Sequence, residues 1–361
     1  MDIIFSLIRL GLGFERSSKE LVSNLSQLCD NDWLDLKKEA DKQGVSGIAL
    51  DGLNKLDGCY HCGVNDDWWK AFILEWSGRL IQTEQLNAHQ LLIMNQMANI
   101  WIDKGLKMMV MKGQVNALLY PQPNHRSPGD IDCYLFNDYS KGNDIARLIG
   151  ADVDEGWYKH SQIRFKGETF ENHQFFVHTR DGRRGKRLQC DLEDALKVEE
   201  WDYFPDSRIF IPPVQWNAMF LTYHACAHFL AEGLRLKQIM DWIMFLNRYQ
   251  DEVDWKAFYS FCKRNHLFLF VNALTAISVD IFGLRINNPV IITTSPFASK
   301  ILRSTMAGED LIYDKKTGIW RGRWLILKNL FKCRWKYEEV YEERVWLQLW
   351  YYVSGVLFRT E

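Results

Sequence analysis

The chain has 361 residues, of which 47% are hydrophobic and 25% are charged, and its formal net charge is −2 at pH 7. This is the composition of an ordinary globular protein, and the length suits about two domains. The near-neutral charge gives no support to a protein that binds nucleic acid regardless of sequence, although a local basic patch remains compatible with it.

The amino-terminal stretch has little in common with a signal peptide. Residues 1–14 are mildly apolar, but Asp2 stands where a basic residue is expected, and Arg9 interrupts the run. No apolar run reaches membrane-spanning length. The eight cysteines are scattered through a chain too large to need disulfides, so we expect reduced thiols in a cytoplasmic protein.

Residues 1–105 are predicted to be helical. Apolar residues recur every three or four positions in residues 18–29 and 32–43, and again in a long stretch from Asp66 to Trp101. Gly105 follows in the position where glycine commonly ends a helix. We expect this long helix to lead the chain into its first strand.

A Cys-Tyr-His-Cys sequence interrupts the helical region at residues 59–62. Two thiols spaced in this way bind zinc or exchange disulfides in other proteins. The second half of a zinc site is missing from the sequence, and no strand precedes the motif. A loop with two thiols is therefore the simpler interpretation.

The pattern changes in residues 106–211, where turn signals separate short runs typical of strands. These runs are residues 108–111, 131–136, 163–165, 174–178 and 187–192, and residues 144–149 are predicted to be helical. Residues 212–361 are again mainly helical, with helices expected at 216–230, 236–249, 254–265 and 267–282. The predicted fold class is α+β, a small mixed-sheet core flanked by N-terminal helices and a C-terminal helical region.

Two acidic residues flank one apolar residue at the start of the second predicted strand. Side chains alternate along a strand, so Asp130 and Asp132 face one way while Ile131 faces a core. Adjacent carboxylates repel each other unless a cation lies between them. The pair is therefore a candidate site for a divalent metal ion, and a surface strand end is the alternative.

An upstream turn is a candidate phosphate site. Lys112 and Gly113 lie between a predicted strand and a helical segment, where glycine lets backbone amides approach a phosphate. The alternative for a lone Lys-Gly step is an ordinary turn. Arg126, in the loop before the acidic pair, is a candidate to orient Asp130, and a solvated loop arginine is its alternative.

A third carboxylate would complete the metal site. In the predicted strand at residues 187–192, alternation places Asp191 and the following Glu193 on the polar face. Asp191 lies between Cys190 and Leu192 and is the better placed of the two.

In this order, the residues resemble the polymerase-β-type nucleotidyltransferase superfamily, and in particular a bacterial branch described only as uncharacterised nucleotidyltransferases. The likeness covers about residues 20–285. It is carried by Met111-Lys112-Gly113, by Arg126, by Gly129-Asp130-Ile131-Asp132 and, in the helical region, by His224, His228, Arg235 and Asp241.

The resemblance implies an enzyme that moves an NMP group from an NTP, such as ATP, to a hydroxyl acceptor and releases pyrophosphate. Mg²⁺ or Mn²⁺ would be the cofactor, bound by Asp130, Asp132 and Asp191. The implied nucleotide-binding residues are Lys112, Gly113, Gln114 and Arg126.

One position departs from the superfamily. Its usual turn continues with Gly or Ser, whereas Gln114 follows Gly113 here, so that one phosphate contact is missing and Lys112 is expected to replace it. The alternative function is a nucleotide-binding or regulatory module that has lost the chemistry. The acceptor stays open among small molecules, RNA ends and proteins.

The helical region adds features with simpler interpretations. His224 and His228 lie four residues apart, on one helix face, where a packed or cleft-lining pair is expected more than a metal site. Arg235 and Asp241 are expected to pair with each other or to cap a helix. The basic, Trp-containing residues 315–336 suit nucleic acid or a membrane surface, but a helix packed on the body is preferred.

Overall fold

The computed structural model describes residues 2–57, 60–178, 182–231, 233–308, 328, 330–347 and 349. Its helices are α1 (Asp2–Leu12), α2 (Lys19–Leu25), α3 (Asp30–Lys42), α4 (Ser46–Asn54), α5 (Asp66–Asp103), α6 (Gly113–Ala117), α7 (Tyr139–Leu148), α8 (Gly182–Ala195), α9 (Val214–Ala231), α10 (Leu236–Tyr249), α11 (Trp255–Arg264), α12 (Phe268–Asp280) and α13 (Ala298–Ala307). Its strands are β1 (Met109–Met111), β2 (Ile131–Tyr134), β3 (Asp152–Asp154), β4 (His160–Phe165) and β5 (Glu168–His173). Among the described helices, none combines the length and apolar character that crossing a membrane requires.

The five strands form one mixed sheet in the order β1-β2-β5-β4-β3. Strand β2 is antiparallel to β1 and parallel to β5, while β4 is antiparallel to both β5 and β3. One face packs on α5 and α7 through Val110, Ile131 and Phe170. On the opposite face, Met109 and Tyr134 contribute to a second core, which is formed with α1 to α4, the first half of α5 and α8 to α13. The arrangement confirms the predicted α+β class.

The N-terminal and C-terminal helices share that second core. The ring of Phe5 in α1 lies 5.4 Å from the ring of Phe282, and Arg9 Nη1 donates a hydrogen bond to the Ile281 carbonyl at 2.9 Å. The division into residues 1–105, 106–211 and 212–361 stays a prediction.

Helix α5 connects the two cores. It begins after Asn65, whose side chain accepts hydrogen bonds from the backbone N–H groups of Asp67 and Trp68. It ends just before Gly105, which has a φ of 83° as expected of a terminating glycine. The first half of the helix buries Trp76 among the helices, and the second half buries Trp101 against the sheet.

Two strand predictions are wrong. Residues 174–178 follow the end of β5, and residues 187–192 lie within α8. Leu188 and Leu192 are both buried and are four residues apart, which suits one face of a helix as well as it suits alternation.

Two other predictions concern residues outside the described ones. Cys59 is not described, so the Cys-x-x-Cys motif stays without a structural account. Most of the tail segment 315–336 is also not described. Within it, the Trp335 ring packs 5.6 Å from the ring of Phe229 on α9.

Helices α1 and α4 approach closely at Gly52, and this predicts a large effect of one methyl group. A Cβ atom at Gly52 would lie 1.9 Å from the Leu7 carbonyl oxygen, so the backbones must move apart. We expect Gly52→Ala to lower the free energy of unfolding by about 1–3 kcal/mol in urea titrations. Gly78→Ala, in α5 with nothing within 4 Å of the added atom, is the matched control and should stabilise by up to about 1 kcal/mol. Equal effects at the two sites would contradict the close approach.

Candidate active site

Two carboxylates lie side by side on neighbouring strands at the centre of the sheet. Asp132 on β2 and Glu171 on β5 are paired in the parallel register, so their side chains lie on the same face. Asp132 is only 5% exposed, and Asp130 lies immediately before β2 with its side chain exposed. Desolvation of the Asp130 carboxyl by its neighbours raises its pKa, and the charges of Glu171 and Asp132 raise it further. The three carboxyl groups therefore form one electrostatic cluster.

Glu171 occupies the place that the sequence predicted for Asp191. Asp191 lies on α8, where its carboxylate accepts hydrogen bonds from Arg264 Nη2 at 2.7 Å and from Asn265 Nδ2 at 2.9 Å. These contacts hold its side chain against α11. Because residue 191 lies on a helix, it is not paired with a neighbouring strand, as the predicted strand would require. The structure thus brings together Asp130, Asp132 and Glu171, and it does not bring Asp191 to them.

Lys112 supplies a positive charge at this cluster. Its Nζ atom lies 2.6 Å from Asp132 Oδ1 and 2.9 Å from His224 Nε2. Burial alone would raise the pKa of Asp132, but Lys112 and then His173 outweigh it and lower that pKa well below its usual range. The Lys112 backbone has a φ of 52°, a conformation that is unfavourable for a residue with a Cβ atom and is often found at functional sites.

His224 is the contribution of the helical region to the site. A lysine ammonium group only donates hydrogen bonds, so His224 Nε2 accepts from Lys112 and the ring proton lies on Nδ1. Burial, followed by the charge of Lys112, lowers the pKa of His224 well below its usual value, which keeps the ring neutral. His228 lies behind it, with 3.2 Å between the two Nε2 atoms. The predicted cleft-lining role fits His224, which reaches the acidic cluster through Lys112.

The Gln114 side chain contacts helix α5. Its Nε2 atom donates hydrogen bonds to Asn87 Oδ1 at 3.1 Å and to Gln90 Oε1 at 2.7 Å, both on α5. The side chain therefore anchors α6 to the long helix. A phosphate contact through the backbone of Gly113 and Gln114 stays a prediction.

Arg126 holds the loop before the acids to α10. Its Nε and Nη2 atoms each lie 2.8 Å from the carboxylate oxygens of Asp241, and Tyr120 donates a third hydrogen bond to the same carboxylate at 2.8 Å. Arg126 and Asp241 are both buried. Asp241 therefore pairs with Arg126 and not with Arg235, and Arg126 is placed to orient the loop instead of meeting solvent.

The sequence analysis did not find several side chains that lie near the cluster. Glu171, His173 and His160 lie on β5 and β4, and Lys237 on α10 donates a hydrogen bond to the Pro128 carbonyl at 3.2 Å. Burial, aided by the charge of Arg126, lowers the pKa of Lys237 to about 7. For Glu171 and His173, the available signal was alternation, since residues two apart on a strand have their side chains on the same face.

The clustered residues fit a divalent cation. Three carboxyl groups supply oxygen ligands of the kind that Mg²⁺ or Mn²⁺ prefers. One of them, Asp132, is buried and also contacts Lys112. Burial and the charge of Asp132 would raise the pKa of Glu171, but the contacts with His173 and His160 outweigh them and lower it.

The lowered pKa of Asp132 predicts a pH-dependent stability. An unfolded aspartate has a pKa of about 3.9, so the contribution of Asp132 is complete above that value and is lost as the pH falls through the lower folded pKa. The test measures the free energy of unfolding of wild type and of Asp132→Asn by urea titration in the presence of a chelator. As the pH falls from about 6 to about 3, we expect the wild type to lose stability relative to the variant. A difference that stays constant over this range would contradict the pairing with Lys112.

An α+β protein that gathers carboxylates on neighbouring strands, behind a lysine-glycine turn, has the features of a nucleotidyltransferase. Residues 30–283 match the model of a family described as "Uncharacterised nucleotidyltransferase". The match spans more than half of the chain, so the protein belongs to this family, as the resemblance implied. Comparisons with curated proteins and with solved structures gave no match.

Proposed function

We propose that the protein is a metal-dependent nucleotidyltransferase that moves an NMP group from an NTP to a hydroxyl acceptor. The observation that carries the proposal is the cluster of Asp130, Asp132 and Glu171 on the central strands, next to the turn at Lys112. Membership of the family indicates nucleotidyl transfer in general. The cytoplasm is the proposed location.

Asp130, Asp132 and Glu171 are the proposed ligands of Mg²⁺ or Mn²⁺, which would neutralise phosphate charge and align the reacting oxygens. Lys112 and the backbone amides of Gly113 and Gln114 are proposed to bind the β and γ phosphates. The acceptor oxygen then forms a bond to the α-phosphorus while the bond to the bridging oxygen breaks, so that pyrophosphate leaves. We assign the proton of the acceptor hydroxyl to one of the three carboxylates.

Arg126 supports this site without touching the reacting atoms. Its two hydrogen bonds to Asp241 fix the loop that carries Asp130 against α10. Lys237 adds a second link to the same loop, through the Pro128 carbonyl. Both residues are positioning residues, because precise placement of the carboxylates accounts for much of the rate in this type of reaction.

The experiment that tests the proposal incubates the protein with each α-labelled NTP, Mg²⁺ or Mn²⁺ and an extract of host cells. Label that appears in a small-molecule, RNA or protein fraction, with pyrophosphate released in equal amount, supports nucleotidyl transfer and identifies the acceptor class. Release of orthophosphate without transfer of label would point to another phosphoryl transfer and overturn the proposal.

A nucleotide-binding module without catalysis is the second candidate. It is favoured by one observation, that Lys112 Nζ already lies 2.6 Å from Asp132 Oδ1 and neutralises one ligand of the proposed metal. Calorimetry with a nonhydrolysable NTP discriminates the two candidates. Metal-dependent binding together with no pyrophosphate release from any NTP, with host extract present, would favour the module.

A further inference from the structure

Two imidazoles and one carboxylate meet on the same sheet face, beside the acidic pair. His160 on β4, and Glu171 and His173 on β5, each offer one ligand atom, and these atoms lie within 4.8 Å of one another. His160 and His173 are direct neighbours in the antiparallel register. Since strands fix this spacing, the group does not depend on a loop.

The hydrogen bonds of His173 leave its inner nitrogen facing carboxylates. Its Nδ1 atom lies 3.1 Å from the Phe175 carbonyl, which only accepts, so Nδ1 carries a proton. Its Nε2 atom lies 3.0 Å from Asp132 Oδ1 and 3.6 Å from Glu171 Oε2. With the proton on Nδ1, Nε2 is the ring atom that can bind a cation shared with these carboxylates. A ring N–H donated to a backbone carbonyl is also the usual support for a metal-binding histidine.

His160 completes the group from the next strand. Its Nε2 atom lies 3.4 Å from Glu171 Oε1, and the Trp157 ring stacks on its outer side at 6.1 Å. Its Nδ1 atom is buried and has no hydrogen-bond partner among the described residues. His160 therefore brings a ring nitrogen to Glu171 from the neighbouring strand.

We propose that His160, Glu171 and His173 form a binding site for a divalent first-row transition-metal ion, next to the carboxylates that face the nucleotide. Imidazole nitrogen suits such ions, whereas Mg²⁺ prefers oxygen ligands. The site therefore selects against Mg²⁺, and Glu171 joins it to the pair at Asp130 and Asp132. Binding is independent of nucleotide, but a role of this ion in transfer rests on the proposed function.

The test measures metal binding by the full chain without nucleotide, using Mn²⁺ as the probe. We expect pulsed electron paramagnetic resonance to show coupling of bound Mn²⁺ to imidazole ¹⁴N, and excess Mg²⁺ to leave this signal in place. His160→Gln and His173→Gln should each weaken Mn²⁺ binding by about 10–100-fold and reduce the nitrogen coupling. His89→Gln is the matched control, because His89 lies exposed on α5 and contacts the Lys166 carbonyl.

Absence of nitrogen coupling in the wild type, or displacement of Mn²⁺ by Mg²⁺ at similar concentrations, would overturn the inference. His160→Gln keeps the contact between His173 and Asp132, so it decides the matter if His173→Gln fails to fold. The proposed function can fail separately. Nitrogen coupling without transfer of label would contradict the proposed enzyme activity but not this metal site. Mg²⁺-supported transfer without nitrogen coupling would contradict this metal site but not the enzyme activity.

Discussion

Asp132→Asn is expected to abolish nucleotidyl transfer while leaving the fold intact. An amide of the same shape fills the buried position on β2, but it removes the charge that a divalent ion and Lys112 both require. Metal-ion stabilisation of the transition state is worth several kcal/mol, so we expect the rate to fall by about 10³-fold or more. The measurement is transfer of α-labelled NMP, with circular dichroism recorded on the same samples.

Asp152→Asn is the control for this variant. Asp152 lies on the edge strand β3 and pairs with Arg164, and both side chains are largely exposed, so its charge contributes little to stability. We expect transfer at the wild-type rate. An Asp132→Asn variant that is folded and transfers label as fast as the wild type would show that Asp132 has no part in the chemistry.

The second large effect is on stability, from Arg126→Met. The change leaves the buried Asp241 carboxylate without its two-point partner, with Tyr120 as its remaining direct hydrogen-bond donor. Removal of one partner from a buried ion pair destabilises by about 3–5 kcal/mol. We expect a loss of this size in the free energy of unfolding, measured by urea titration.

Two further variants serve as controls for Arg126→Met. Arg147→Met breaks the pair between Arg147 on α7 and Glu155 just after β3, in which both side chains are about half exposed. It should change the free energy of unfolding by less than about 1 kcal/mol. The double variant Arg126→Met with Asp241→Leu removes both buried charges, and it should be more stable than Arg126→Met alone. If Arg126→Met has no larger effect than Arg147→Met, the ion pair does not hold the loop to α10.

Much of the fold follows from periodicity. Helix α10 spans Leu236–Tyr249, as predicted, since its apolar residues keep a strong period of three to four. Strand β2 was also predicted, because Asp130-Ile131-Asp132 alternates so clearly. Local pattern suffices where one face of an element is buried and the other is not.

The errors arose where two periods coincide. In α8, Leu188 and Leu192 satisfy alternation and helical spacing equally, and a strand interpretation turned Asp191 into a candidate ligand. The predicted strand at residues 174–178 starts after β5 has ended at His173, so β5 itself was not predicted. Glu171 was then missed, although it lies two residues before His173.

Long-range pairs lay beyond the sequence. Arg126 and Asp241 are 115 residues apart, and His224 is 112 residues from Lys112. Such contacts depend on how α9 and α10 pack over the sheet, which no local pattern encodes. The acidic pair was therefore found from the sequence, but its contacts with Lys112 and with the histidines could be seen only in the structure.

The choice between Glu171 and Asp191 tests the central claim most directly. The measurement compares transfer of α-labelled NMP by wild type, Glu171→Gln and Asp191→Asn, with Mn²⁺ or Mg²⁺ present. The structure predicts that Glu171→Gln loses transfer as Asp132→Asn does, whereas Asp191→Asn keeps the wild-type rate. Full activity of Glu171→Gln, or loss of activity in a folded Asp191→Asn, would contradict the active site proposed for this protein.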